Sequence, residues 1–138
     1  MLQQPKKSEF DIKFIKLISL NFEQNQKEIN KNEIKVNMTM KAFYSRLAHS
    51  NIQLNLNVKI SLEQNHNYDI GTIDSTIIGI FGYKDKINEE LMPNLVSILY
   101  SYLRPIVAQL SIMSKLPPID LPIINLSNIK VTEETINK

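Results

Sequence analysis

Asn51-Ile52-Gln53-Leu54-Asn55-Leu56-Asn57-Val58-Lys59-Ile60-Ser61-Leu62-Glu63 alternates polar and apolar residues without a break. Successive side chains on a strand point to opposite faces, so the aliphatic residues line one face and the polar residues the other. A helix would scatter the same residues around its whole circumference. This stretch therefore reads as a long strand with one face on a core and one in water, the pattern of an antiparallel sheet.

The same period extends in both directions. Upstream, Ile34, Val36, Met38, Met40 and Ala42 alternate with Glu33, Lys35, Asn37, Thr39 and Lys41. Earlier still, Phe10, Ile12, Phe14, Ile18, Leu20 and Phe22 fall on one face, with Lys16 the single violation. A polar connector over residues 24–32 separates these two strands. Downstream, Gln64-Asn65-His66-Asn67 supplies a turn, and residues 68–83 make a fourth strand. Its segment Ile77-Ile78-Gly79-Ile80-Phe81 is apolar on both faces, which predicts cover from the chain's own helix on one side and from another subunit or element on the other.

The period then changes. Leu91, Leu95, Ile98, Leu99, Tyr102, Leu103, Ile106, Val107, Leu110 and Met113 recur at steps of three and four, the apolar stripe of a helix. Pro93 suits its first turn. Pro105 lacks an N–H for the carbonyl of Ser101 and predicts a kink that divides the helix into two parts of about three turns each. Leu116-Pro117-Pro118-Ile119-Asp120-Leu121-Pro122-Ile123-Ile124 carries three prolines and must run extended, as an apolar strap lying on something. The fold expected is α+β, a four-stranded antiparallel meander with a long kinked helix on one face. Residues 1–9 read as a flexible arm, 10–130 as a single domain and 131–138 as a tail.

A chain of 138 residues supports one core. Sixteen Lys and Arg against fourteen Asp and Glu leave a net charge of +2. That is too even for a nucleic-acid binder, which concentrates basic charge on one face. The absence of Cys excludes disulfides, thiolate metal sites and thiol nucleophiles. Three glycines cannot write a phosphate-binding loop. No long apolar run or signal peptide is evident, so the expected location is cytoplasmic. His49 and His66 fall at loops and strand ends. Asp69 and Asp74, five apart on a strand, face opposite sides and cannot share an acid–base site. Glu89 and Glu90 suit a helix entry. No enzyme, cofactor or metal is expected.

The strap and helix carry the remaining chemistry. One reading makes them core and subunit interface. The other places a groove beside the strap for a second extended chain. Each apolar side chain buried there contributes roughly 1.5–3 kcal/mol, so a few give useful affinity without a sequence code. A third reading is a small apolar ligand held between helix and sheet. The doubly apolar fourth strand, with Ile70, Thr72, Ile78 and Ile80, and the Leu- and Ile-rich helix predict dimers pairing into tetramers.

Leu99-Tyr100-Ser101-Tyr102-Leu103-Arg104, then Leu110, then the strap continued by Asn125-Leu126, resembles the C-terminal signature of the SecB protein-export chaperones. The first strand is similar too, with Phe10-Asp11-Ile12 and Ser19-Leu20-Asn21-Phe22-Glu23, and so is Ile77-Ile78-Gly79-Ile80-Phe81-Gly82. The resemblance spans about residues 10–129. It implies a homotetramer, a dimer of dimers, that holds unfolded polypeptide in hydrophobic grooves without ATP. By position, it gives the groove lining to Ile34, Val36, Met38, Met40 and Tyr68, bordered by Leu116, Ile119, Leu121, Ile123, Leu126 and Ile129, and implies that Leu99, Leu103 and Leu110 join subunits or underlie the groove. Unfolded clients are the partners it implies, with no nucleic acid and no membrane insertion. The family's acidic outer face docks the translocase motor SecA; at the matching positions only Glu23 and Asp69 are acidic, beside Ser19 and Gly71. Relatives of other function protect the antitoxin of a toxin–antitoxin system, and a non-acidic member fits that branch.

Overall fold

Alternation along the strands builds one sheet, and the computed structural model shows which strand pairs with which. It describes residues 10–24, 34–64, 68–114, 116, 119–122 and 124–134. The arm at residues 1–9, the connector, His66, Pro117, Pro118, Ile123 and the last residues of the tail lie outside this range, as do the side chains of Tyr68 and Asp69. The strands are β1 (Phe10–Gln24), β2 (Ile34–Leu47), β3 (Asn51–Gln64) and β4 (Tyr68–Tyr83). A 3-10 turn (Glu89–Leu91) leads into α1 (Met92–Met113), and β5 (Val131–Glu133) follows the strap.

The sheet has five strands in the order β1-β4-β3-β2-β5, which corrects the expected four-stranded meander on two counts. First, β1 pairs antiparallel with β4 rather than β2, leaving a Greek-key order. Alternation within a strand does not encode its neighbour. The doubly apolar β4 is an interior strand, hydrogen-bonded to β1 on one edge and β3 on the other. Second, Val131-Thr132-Glu133, read as the start of a tail, pairs in parallel with Ala42, Phe43 and Tyr44 of β2. Three residues are too few to display a period, and their partner is remote in sequence.

Two irregularities in the β1–β4 ladder, at Lys13 and at Ile18, each insert one unpaired residue into β1. Each insertion switches which residues face inward. The two together add one full period, so Phe10, Leu20 and Phe22 still pack inward while the middle of the strand is reversed. Ile15 and Leu17 pack on the core there, whereas Phe14 and Ile18 are half exposed. Lys16 breaks no rule in this register, since it lies on the outer face opposite Ile78.

The core is the inner face of β3 and β4 under α1. Ile52, Leu54, Leu56, Val58, Ile60 and Leu62 are all at most 1% exposed. Ile73, Ile77 and Phe81 of β4 continue this layer. Met92, Leu95, Val96, Leu99, Tyr100, Leu103 and Val107 cover it from the helix. By length and composition α1 with its leading turn is apolar enough to cross a membrane. These side chains instead pack it on the sheet. The Asn88 side chain accepts the Glu90 N–H at 3.0 Å, and Pro93 sits in the first turn. The helix runs on through Pro105 as one element, not two. Buried Leu103 and Val107 flank the proline and hold both halves on the same sheet.

Helix and sheet meet closely at Gly79. A Cβ there would lie 2.6 Å from the Phe81 ring and 2.9 Å from Leu99 Cδ2. Gly79→Val is expected to destabilise the chain by about 1–3 kcal/mol through overpacking. Urea unfolding checks this, and an unchanged midpoint would show that the helix can lift away freely.

Candidate functional site

The apolar row of β2 differs from that of β3. Ile34, Val36, Met38 and Met40 are half-buried, and Lys35, Asn37, Thr39 and Lys41 between them are exposed. All four apolar side chains pack against the margin of the core, so they offer apolar surface where the sheet ends. Beyond them, among the described residues, no strand pairs with the outer edge of residues 34–41, because the pairing with β5 begins only at Ala42.

The strap is fastened to α1 through its backbone, as a segment without regular structure must be if its polar groups are to be satisfied. Tyr100 Oη donates to the Pro122 carbonyl at 2.6 Å and lies 4.0 Å from Met38 Sδ. Arg104 Nε donates to the Leu121 carbonyl at 2.9 Å. The Ile119 N–H donates to Ser111 Oγ at 2.9 Å. Between these pins Leu116, Ile119, Leu121 and Leu126 are at most 7% exposed. They form part of the core. Ile124 and Ile129 are half-buried and pack against it.

The remaining named positions separate by burial. Ile70, Ile78, Leu99 and Leu103 are buried, Leu110 and Ile80 are half-buried, and Thr72 is exposed. Glu23 is exposed on β1 opposite Thr72. The large apolar side chains that do reach solvent are Ile12, Phe14 and Ile18 on β1 and Tyr102, Ile112 and Met113 on α1. For β1 the available signal was Lys16, which marked a shift of face. His49 is exposed in the β2–β3 turn, and Asp74 accepts from Asn57 Nδ2 at 2.9 Å. Among the described residues no group of three His, Asp or Glu is placed to hold a metal. An open depression of about 360 Å³ crosses β2, β3 and β4 among outward polar residues such as Asn37, Thr39, Lys59 and Asp74, while the neighbouring Ile60 and Ile73 are buried.

A second polar cluster ties the end of β2 to its surroundings. Tyr44 Oη lies 3.2 Å from Glu89 Oε1 and 3.5 Å from Glu133 Oε2, and Arg46 pairs with Glu133. Burial, then the Glu133 and Glu89 carboxylates, push the Tyr44 hydroxyl above its ordinary pKa. Burial likewise raises Tyr100, with Arg104 opposing. Both phenols keep their protons longer folded than unfolded, so the stability they contribute is full below about pH 10 and declines as pH rises beyond it. Tyr100→Phe is expected to make that alkaline decline shallower and to cost about 1 kcal/mol at neutral pH through the lost hydrogen bond to Pro122. Urea midpoints from pH 7 to 11 test it, and an unaltered alkaline slope would remove Tyr100 from the account.

The family model for SecB, described as preprotein translocase subunit SecB, matches residues 3–134. No curated protein matches the chain. Among solved structures, the chain is similar to the SecB-like chaperone of Mycobacterium tuberculosis, solved in complex with a ChAD peptide from the HigA1 antitoxin. The TM-score is 0.74 at 18% identity, covering 84% of this chain and 91% of that one. A protein of unknown function from Streptococcus agalactiae aligns with a TM-score of 0.48 at 10% identity, covering 83% and 98%.

Proposed function

The chain belongs to the SecB family, and on that premise we propose that it is an ATP-independent chaperone of the cytoplasm that holds unfolded polypeptide along the apolar row of β2. The observation that carries the proposal is the half-buried series Ile34, Val36, Met38 and Met40, set at the core margin beside a strand edge that no described residue pairs with. Apolar surface of this kind binds any extended segment that buries alternate side chains, while main-chain groups on the edge accept any sequence. Leu121 and Leu126 of the strap share one core with the sheet, and Ile124 and Ile129 add half-buried apolar surface packed against that core, which supports the reading.

Assembly as a dimer of dimers completes the proposal. The outer edge of β1 is open among the described residues and carries half-exposed Ile12, Phe14 and Ile18. Long apolar edges invite pairing with another chain. Tyr102, Ile112 and Met113 give α1 a second unpartnered apolar stripe. Repeated grooves along one client add avidity. The test is direct. The purified protein should suppress aggregation of a chemically unfolded client without nucleotide and scatter light as a tetramer. Failure with every client would sink the chaperone reading, and a monomer of one chain's mass would sink the assembly.

A second reading, a chaperone dedicated to one antitoxin, is favoured by the likeness to a fold solved with an antitoxin peptide bound. The even charge supports it, because the acidic docking face that the resemblance implies for the translocase motor is mostly missing: Ser19 and Gly71 stand beside Glu23 and Asp69. A pull-down that recovers one stoichiometric partner supports this reading over the general one.

A further inference from the structure

β5 is a strand that little holds in place. It has three residues, of which Val131 is half-buried and Thr132 and Glu133 are exposed. It pairs in parallel with Ala42, Phe43 and Tyr44, and the Glu134 N–H donates to the Tyr44 carbonyl at 2.8 Å. Its ion pair joins side chains 54% and 39% exposed, Arg46 and Glu133. A pair so open to water contributes little and is screened by salt. The contact from Tyr44 Oη to Glu133 Oε2 is long, at 3.5 Å, and the same hydroxyl also reaches Glu89.

The place β5 occupies is nonetheless informative. It continues the line of the edge at residues 34–41, so the same edge is filled by the chain itself at one end and, among the described residues, has no strand paired with it at the other. Residues 34–47 carry Lys35, Lys41 and Arg46 and no acid. The segment seated on that edge reads Val131-Thr132-Glu133-Glu134, and its Glu133 meets Arg46.

We propose that β5 is an intramolecular stand-in for the client: it occupies the β2 edge until an extended, acidic segment displaces it and pairs along the whole of β2. This rests on the reading of the chain as a holder of extended polypeptide, and it adds how that polypeptide is read and what restrains its binding. An incoming strand gains main-chain hydrogen bonds along β2 and sets its carboxylates against Lys35, Lys41 and Arg46. The tethered β5 competes at the high effective concentration of an intramolecular segment, which sets a threshold that only longer or more acidic segments pass.

The test uses the full chain and a labelled peptide, Ile-Lys-Val-Thr-Glu-Glu, that copies residues 129–134. Glu133→Arg with Glu134→Pro replaces the ion pair with two like charges and removes the N–H donated to Tyr44. Fluorescence anisotropy should show the peptide binding this variant at least tenfold more tightly than the parent chain. A peptide with both glutamates changed to lysine should show no such gain, and 0.5 M salt should shrink it. Glu133→Gln, which leaves the backbone alone, should give an intermediate gain of about threefold. Equal affinity for parent and variants, or no binding to either variant, overturns the proposal. So does a parent assembly that falls apart in the variant, because that outcome places β5 on a neighbouring copy. Aggregation of a neutral unfolded client is followed in parallel. Its loss with the peptide result intact would remove the chaperone reading and leave the edge site standing.

Discussion

Changing Met38 and Met40 together to lysine is expected to lower affinity for an unfolded client by a hundredfold or more, with the fold intact. Both side chains are half-buried at the core margin, where a lysine keeps its stem on apolar surface and sends its ammonium to water. The client loses two apolar contacts, each contributing roughly 1.5–3 kcal/mol, and every 1.4 kcal/mol is about tenfold in affinity. Asn37→Lys with Thr39→Lys is the control, because it adds the same two charges on the exposed face. Titration of a labelled unfolded client, with circular dichroism as the check on folding, decides the matter. Equal losses in the double variant and the control would make charge, and not the apolar row, the cause.

Leu121→Ala is expected to cost about 2–5 kcal/mol of stability, through lost transfer energy and the cavity left behind. Leu121 is fully buried although it sits in a segment without regular structure, and its carbonyl is held by Arg104 at 2.9 Å. For a chain of this size the loss corresponds to roughly 5–15 °C in melting temperature. Asp120→Ala next to it should change almost nothing, since its carboxylate is 94% exposed and 3.7 Å from Arg104. Thermal unfolding of the two variants separates a strap built into the core from one merely laid on it. Equal melting temperatures would favour the second.

How far each element could be read from sequence follows from the range of the interactions that specify it. In β3 every inward residue is aliphatic and every outward one polar, so the face and the state are set locally. The helix onset at Pro93 and the extended strap are equally local, because proline restricts its own backbone and that of its neighbour. In β1 two inserted residues reverse the faces in mid-strand, and nothing local distinguishes Ile18, half exposed, from Leu20, which packs inward. The row on β2 was legible as a row. Its half-buried state was not, because that depends on which segment, remote in sequence, pairs with each part of the strand's outer edge.

The sequence by itself determined the α+β class, the alternating strands, the helix and the strap. Each rests on periodicity or on proline geometry, which act within a few residues. The family was legible separately, from the resemblance of the helix and strap motifs. Only the tertiary structure decided that β1 lies beside β4, that Leu116, Ile119, Leu121 and Leu126 belong to the core, and that Val131-Thr132-Glu133 forms a fifth strand against β2. These are choices of partner between segments far apart in the chain. Many pairings satisfy the same alternation, and the one adopted is set by packing across the whole sheet.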